Sequence, residues 1–363
     1  MPEEKARLVL HQIKAALEEG GLTLEESDSL LGRMTSYMEI LEHARWERGF
    51  LLSMFRNTAD KKEVVKLNKL LEDQLHWWRI TLLRGKLGWP IESLKPRFRN
   101  YHLTMHCDAA GGSINSNNGY GGIVWLHTGE RPWVMGKWCK DIQENKKMNW
   151  GKEFGKDMSV LEAGAILACM TACRRWLRGR PVLNICDNAG TVWGIRKGRS
   201  TNLFLYTILK AIVEIAEGLD IELRVEHANR MTNAGDRIAD ALSKGDIQRA
   251  KKEWGNVRPS QEKVPDTVLN WFRQPYLTRN LSQEVLAEIE KLDGKHSVIW
   301  RPSTGVNYTT KDWSEIRKWY EQERKKEQTK HARADAQRKR KAAELADKIG
   351  ERKKTKWWTN GNF

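Results

Sequence analysis

The order of apolar segments between residues 101 and 250 restricts the fold more than any other feature of the sequence. Three strand-like segments follow one another, separated by turn residues, and they are "YHLTMHCDAA", "IVWLHTG" and "PWVMGKWC". The chain then alternates between helix-like and strand-like segments, in the order "SVLEAGAILACMTACRRWLRG", "PVLNICDN", helices over 189–197 and 201–217, "IELRVEHA" and "GDRIADALSKGD". Three meandering strands followed by α/β crossovers predict an α/β (α+β) fold with a five-stranded mixed sheet and helices packed on its faces.

Composition shifts divide the chain into four predicted regions. Residues 1–95 carry apolar residues at helical spacing, and the prolines of "GWPIESLKPRFRN" mark the end of this region. Residues 96–255 form the sheet domain, 256–316 a small region with a weak pattern, and 317–363 a basic, Ala-rich tail that is either an exposed helix or disordered.

The charge balance indicates a polyanionic partner. Lys and Arg number 63 against 47 Asp and Glu, which gives a formal net charge of +16. No stretch approaches the roughly 20 apolar residues of a membrane span, and the N-terminal segment predicts a helix rather than a signal peptide. Five cysteines, an odd number within apolar segments, favour free thiols in a reducing compartment. We therefore expect an intracellular protein, in the nucleus or the cytoplasm, with no membrane partner.

Four carboxylates lie at strand ends or within helices of the predicted sheet domain. Asp108 ends the first strand, Asp187 ends the fourth, Glu162 lies near the start of the first crossover helix, and Asp240 lies in the last helix. Strand ends and helix starts meet at one edge of such a sheet, where ligands bind. If the first and fourth strands are neighbours, all four side chains converge there.

Electrostatics indicates why such a group would exist. Two carboxylates about 5 Å apart repel by roughly 3 kcal/mol at an effective dielectric near 20, and a domain has only about 5–15 kcal/mol of total stability. Divalent cations relieve this repulsion, and Mg²⁺ prefers carboxylate oxygens. Two such ions about 4 Å apart can hold the attacking water and the leaving oxygen of a phosphodiester. We predict two Mg²⁺ ions, with Mn²⁺ as the alternative, on catalytic ligands Asp108, Glu162, Asp187 and Asp240.

Each carboxylate also has a structural interpretation. Asp108 precedes small residues and is compatible with the start of a turn, while Glu162 suits the positive end of a helix dipole. Asp187 is compatible with a helix N-cap, and Asp240 with a solvated helix face.

The segments that carry the carboxylates resemble the four signature segments of type I ribonuclease H, in the version found in retroelement polyproteins. They are "MHCDAAGG…GYGGIVW", "SVLEAGAILACMTA", "NICDNAGTVWGIRKG" and "GDRIADALSKG". The stretch "ADALSKG" is similar to the end of that domain in Gypsy-like and DIRS-type retrotransposons. The resemblance covers about residues 100 to 250, and the helical region before it resembles, more weakly, a polymerase thumb and connection.

The resemblance implies a two-metal enzyme that cleaves the RNA strand of RNA–DNA hybrids. It also implies a polymerase domain or other retroelement proteins as candidate partners, although no Tyr-x-Asp-Asp polymerase motif occurs in the sequence. Arg230 stands where many family members have a loop histidine, so His227 is either an auxiliary candidate or, as we favour, a structural residue at a strand end. Asp236 replaces a common Asn and is either an auxiliary ligand or, as we favour, a helix cap.

Basic residues follow two of the predicted helices, and we interpret them as phosphate-binding groups or as a solvated rim. They are Arg174, Arg175, Arg178, Arg180, Arg196, Lys197 and Arg199. Two alternative functions remain open: a non-catalytic nucleic-acid-binding protein that keeps the ribonuclease H fold, and a DNA nuclease or resolvase of the same fold.

Overall fold

The computed structural model describes most of the chain up to residue 294. The described residues are 3–38, 42–48, 62–85, 103–111, 118–138, 158–200, 202–228, 233–254, 258–273 and 281–294, with short stretches between 309 and 343. Arg230, the predicted strand-turn over 296–305 and most of the basic tail lie outside them.

The N-terminal part is mostly helical. Its elements are α1 (Glu3–Glu19), β1 (Gly21–Thr23), α2 (Leu24–Met38), a 3₁₀ helix (Glu42–Arg48), β2 (Val64–Lys66) and α3 (Lys69–Gly85). Thr23 and Glu26 form a capping box at the start of α2, because the Glu26 carboxylate accepts from the Thr23 backbone N–H at 2.8 Å while Thr23 Oγ1 accepts from the Glu26 N–H at 3.2 Å. The expectation of an almost wholly helical region was wrong at β1 and β2, which pair antiparallel.

The rest of the described chain alternates strands and helices much as the sequence predicts. Its elements are β3 (Leu103–Ala109), β4 (Gly119–Trp125), β5 (Glu130–Lys137), α4 (Met158–Ala172), α5 (Arg174–Leu177), β6 (Pro181–Cys186), α6 (Ala189–Lys197), α7 (Leu203–Gly218), β7 (Glu222–His227), α8 (Ala234–Ser243), α9 (Ile247–Trp254), β8 (Arg258–Gln261), α10 (Asp266–Arg273) and α11 (Leu281–Asp293). The fold is mixed α/β.

The larger sheet has the strand order β7-β6-β3-β4-β5-β8. Strands β3, β4 and β5 form the antiparallel meander, while β6 runs parallel to both β3 and β7. The predicted count of five strands was one short for the described residues, because β8 adds in parallel to β5 from a segment that we had placed beyond the sheet domain. Its sequence, "RPSQ", is short and polar, so no apolar alternation marks it as a strand.

Two helices pack on opposite faces of the sheet, and each contacts one of two adjacent glycines of β4. A Cβ on Gly121 would lie 2.4 Å from the Ser243 backbone N of α8, and one on Gly122 would lie 2.6 Å from Cys169 Sγ of α4. Adjacent residues of a strand point to opposite faces, so α8 and α4 pack on different sides of β4. The sequence predicts a turn over "GGSINSNNGYGG", but the last four residues of this segment begin β4. These glycines serve close helix packing rather than a turn.

The N-terminal helices dock on α7 through a buried polar cluster. Gln74 Nε2 and Tyr206 Oη both donate to the Trp46 carbonyl, at 3.0 and 3.1 Å. Lys210 Nζ lies 2.9 Å from Glu47 Oε1, and the Glu47 side chain is only 3% exposed. Burial raises the pKa of Glu47 from 4.5 to about 7, against the opposing charge of Lys210.

Three further features bear on the sequence predictions. Among the described residues, no helix combines the length and apolar character that a membrane span requires. The prediction of free thiols is confirmed for the four described cysteines, which are all buried: Cys107, Cys169, Cys173 and Cys186. Residues 332–341 of the tail are helical and exposed.

The docking cluster predicts a pH-dependent effect of Lys210→Met. This change leaves Glu47 buried without its cation and should cost about 3–5 kcal/mol of unfolding free energy at pH 8. A carboxyl whose folded pKa is raised favours folding in its protonated form, so its stabilising contribution is full below pH 4.5 and is lost as the pH rises through about 7. The loss caused by Lys210→Met should therefore be clearly smaller at pH 5 than at pH 8, as measured by urea unfolding against the parent protein.

The double variant Lys210→Met, Glu47→Gln is the matched control, because it removes both charges. It should recover most of the stability at pH 8. An equal loss at both pH values, or no recovery in the double variant, would contradict a charged pair at this interface.

Candidate metal centre

The parallel pairing of β3 with β6 brings two of the predicted carboxylates to one edge of the sheet. His106 pairs with Ile185 in this ladder, so Asp108 and Asp187 follow two residues later at the C-terminal ends of neighbouring strands. Asp108 is 6% exposed and lies within β3, opposite Gly121 of β4. This position excludes the interpretation that Asp108 merely starts a turn.

Asp187 lies between β6 and α6 but does not cap the helix. The N-cap is Asn188, whose Oδ1 accepts from the Thr191 backbone N–H at 2.9 Å. The interpretation of Asp187 as an N-cap was therefore wrong, because the next residue performs that function. The Asp187 side chain is partly exposed at the strand end.

Glu162 is carried to the same edge by the first turns of α4. Helix α4 is buried along nearly all of its length, and Glu162 is 2% exposed. One carboxylate oxygen of Glu162, one of Asp187 and Cys186 Sγ all lie within 4.8 Å of one another. The structure thus brings together two predicted ligands and one thiol that the sequence interpretation did not include.

Asp108 lies beside this group and contacts the C-terminal end of α8. Ser243 Oγ donates to Asp108 Oδ2 at 2.5 Å. Burial, and after it the nearby carboxylates of Glu162, Asp187 and Asp108, raise the pKa of the Cys186 thiol. The Cys186 sulfur is therefore a neutral thiol at ordinary pH, with three carboxylates in its surroundings.

The structure gives Asp240 different neighbours from the predicted ones. Its buried carboxylate lies 2.5 Å from Lys244 Nζ and 3.1 Å from Arg249 Nη1. Lys244 directly follows α8 and Arg249 lies in the first turn of α9, so both cations balance this charge locally. Asp240 is not among the carboxylates grouped with Glu162 and Asp187. It is also buried, so its interpretation as part of a solvated helix face was wrong.

Asp236 forms a pair that the sequence interpretation missed. Its Oδ1 lies 2.8 Å from His106 Nδ1, while the cap of α8 is Asn233, whose side chain accepts from the Asp236 backbone N–H. The favoured interpretation of Asp236 as the cap was therefore wrong by three residues. A Cβ on Gly235 would lie 2.4 Å from the His106 ring, so Gly235 lets α8 begin directly against it. Strand alternation could have revealed His106, since it lies on the same face as Asp108.

The His227 side chain contacts the backbone of Asp187. Its Nε2 lies 3.1 Å from the Asp187 carbonyl oxygen, and its side chain is exposed. It ends β7, directly beside Cys186 in the parallel ladder. His227 therefore braces the turn that holds Asp187.

The first predicted phosphate-binding group has an internal partner. Arg174 donates to both carboxylate oxygens of Asp293 at 3.0 Å, and Arg175 and Arg178 reach the same carboxylate at 3.3 and 3.1 Å. Burial raises the pKa of Asp293, but the hydrogen bonds and charges of these arginines outweigh it and lower the pKa overall. The sequence interpretation places these arginines near the carboxylates, but Arg174 lies twelve residues after Glu162, roughly 18 Å along the helical path. The cluster holds the end of α11 against α5.

The second predicted group lies beside the centre, on α6. Arg196 donates from Nε to the Val225 carbonyl at 2.9 Å, and both Arg196 and Lys197 lie over the Trp193 ring. Arg199 is partly exposed just after the helix, and Arg180 is exposed at the far end of β6.

The donor chemistry of the group fits a hard divalent ion. Carboxylate oxygens of Glu162 and Asp187 are the ligand type that Mg²⁺ or Mn²⁺ prefers, whereas a neutral thiol such as Cys186 adds nothing to such a site. Asp108 lies outside this 4.8 Å group but near enough to act on the Cys186 thiol, while Asp240 is paired with two cations. The geometry thus supplies a compact pair of carboxylates, Glu162 and Asp187, with the Cys186 thiol beside them.

No family model, curated protein or solved structure matches the chain.

The internal role of the arginines can be tested with Asp293→Asn. This change leaves the buried Arg174 without its counter-charge and should lower the unfolding free energy by about 3–5 kcal/mol. Arg175→Ala removes a mostly exposed partner, 66% accessible, and should cost less than about 1 kcal/mol. Urea unfolding of both variants measures the difference. A nearly neutral Asp293→Asn would contradict the anchoring role.

Proposed function

We propose that the protein is a metal-dependent endonuclease of the ribonuclease H type, which cleaves the RNA strand of RNA–DNA hybrids. One observation carries the proposal: Asp108 and Asp187 end neighbouring parallel strands, and the carboxylate of Glu162 lies within 4.8 Å of that of Asp187. The resemblance of the sequence segments around these residues to type I ribonuclease H of retroelements supports the same assignment.

The chain's own residues would share the work as follows. Glu162 and Asp187 would hold the metal together with Asp108, whose carboxylate Ser243 orients through its hydrogen bond. Asp240 would join these ligands only if its ion pairs with Lys244 and Arg249 were broken. Bound Mg²⁺ supplies an activated water and stabilises the charge that develops on the leaving oxygen. Cleavage leaves a 3′-hydroxyl and a 5′-phosphate.

Selectivity for the hybrid would come from duplex shape and from contacts with 2′-hydroxyl groups. The charge of +16 favours a nucleic-acid partner in general. An intracellular setting, and a polymerase domain or other retroelement proteins as partners, belong to the same proposal.

A second candidate is a non-catalytic nucleic-acid-binding protein with this fold. The ion pairs of Asp240 favour it, because they already neutralise one of the four predicted ligands. A DNA nuclease or resolvase would use the same carboxylates on a different substrate, so the substrate comparison below includes duplex and branched DNA.

Asp187→Asn should abolish cleavage and preserve binding. Replacing one carboxylate oxygen by an amide weakens the metal site without changing the size of the side chain, so Mg²⁺-dependent cleavage of a labelled RNA–DNA hybrid should fall about 100-fold or more. Gel analysis of the products and a binding assay in EDTA provide the two readouts. Asp266→Asn, which changes a carboxylate that is 66% exposed on α10, is the matched control and should leave cleavage unchanged.

Three outcomes separate the candidates. Mg²⁺-dependent cleavage that persists in Asp187→Asn would contradict the proposed site. Binding of the hybrid with no turnover by the parent protein, in Mg²⁺ and in Mn²⁺, would favour the non-catalytic function. Preferential cleavage of duplex or branched DNA would favour the resolvase.

A further inference from the structure

The solvent-facing side of α6 has an unusual composition. The side chains that face inward, Thr191, Val192 and Gly194, are buried, whereas the exposed positions of the helix are Ala189, Gly190, Trp193, Arg196 and Lys197. These exposed positions recur at helical spacing and form one continuous face. Trp193 is 52% exposed, although an indole of this size is ordinarily mostly buried.

Two cations flank the Trp193 indole. The Arg196 guanidinium carbon lies 5.7 Å from the ring centroid and Lys197 Nζ lies 5.2 Å from it. Such contacts hold a cation beside an aromatic ring. Arg196 is also tied to β7 by its hydrogen bond to the Val225 carbonyl, so its position is fixed by the sheet. The exposed face of α6 contains no acidic residue.

This pattern is complementary to a single polynucleotide strand. A base can stack on an exposed aromatic ring, and adjacent cations can bind the flanking phosphates. Bases inside a duplex are already stacked on each other, so the ring can take only an unpaired or unstacked base. An acidic or apolar protein segment is the competing occupant, but an apolar partner would leave Arg196 and Lys197 without compensation.

The face begins at the candidate metal centre. Helix α6 starts at Ala189, two residues after Asp187, and Trp193 lies roughly 6 Å further along the helix axis. At the rise of about 3.4 Å per nucleotide in a stacked strand, this length together with the two residues before it spans two or three nucleotides. Ala189, at the start of the face, is small and exposed, so a strand can approach this end of the helix.

We propose that Trp193, Arg196 and Lys197 form a docking surface for one strand of the substrate, on which an unpaired base stacks two or three nucleotides from the bond that is cut. This inference rests on the proposed function, because it takes Asp187 as part of the cleavage site. It adds a substrate preference: a hybrid with a single-stranded extension binds better than a blunt hybrid.

Binding in the absence of metal tests the surface independently of cleavage. The full-length protein in EDTA is titrated against a fluorescent single strand of about a dozen nucleotides, and anisotropy reports the dissociation constant. Trp193→Ala should weaken binding about tenfold, whereas Trp193→Tyr, which keeps an aromatic ring, should stay within about threefold. Lys197→Ala should reduce the slope of log K against log salt by about 0.7, the value for one phosphate contact on a single strand.

Matched controls come from elsewhere on the surface. Leu83→Ala removes an apolar side chain that is 47% exposed, and Lys263→Ala removes a cation that is 83% exposed. Neither should change the affinity for the single strand. The same variants are then compared on a blunt hybrid and on a hybrid with a single-stranded extension, where only the extended hybrid should respond to Trp193→Ala.

The outcomes distinguish this inference from the proposed function. Unchanged single-strand affinity in Trp193→Ala, with Mg²⁺-dependent hybrid cleavage intact, overturns the docking surface and leaves the ribonuclease assignment standing. A tenfold loss of affinity in a protein that cleaves nothing supports the surface and counts against the assignment. Equal losses in Leu83→Ala and Trp193→Ala would mean that the effect is not stacking, and this result also overturns the inference.

Discussion

The parallel ladder between β3 and β6 is the constraint on which the candidate site depends. Parallel strands place their carboxyl ends at one edge, so a charged residue at each end faces the same solvent-accessible space. The pairing of His106 with Ile185 therefore decides that Asp108 and Asp187 are neighbours although 79 residues separate them in the chain. A shift of one residue in that register would turn one of the two side chains to the opposite face.

Close helix packing converts this edge into a site. Helix α4 approaches through Gly122 and brings Glu162 toward Asp187, while α8 approaches through Gly121 and brings Ser243 to Asp108. A methyl group at either glycine would push one helix away from the sheet. Both glycines contribute no side-chain burial, and they allow this close approach of the helices to the sheet.

Much of the fold could be predicted from local pattern. The strands β3 and β6 and the helices α4, α6, α7 and α8 have long apolar periods, and the structure has them within a few residues of their predicted bounds. Strand β8 could not be predicted, because "RPSQ" carries no apolar alternation and is defined only by its partner β5. Strands β1 and β2 are three residues each, too short for any period to be visible.

The sequence predicts the site residues at the strand ends better than the surroundings of those on the helices. Asp108 and Asp187 follow from topology alone, whereas the environment of Asp240 depends on which cations α8 and α9 direct toward it. The arginines after α4 show the same limit: their spacing indicates a basic patch, but Asp293 lies 115 residues beyond Arg178 and only the folded chain reveals it as their partner. An ion pair between residues far apart in the chain cannot be recognised from the local sequence pattern.

The central claim is that Asp108, Glu162 and Asp187 together hold a divalent ion, and anomalous diffraction from crystals grown with Mn²⁺ tests it most directly. The account predicts an anomalous peak between the carboxylates of Glu162 and Asp187, within coordination distance of both. Mn²⁺ bound elsewhere, with these carboxylates unliganded at saturating metal, would contradict it.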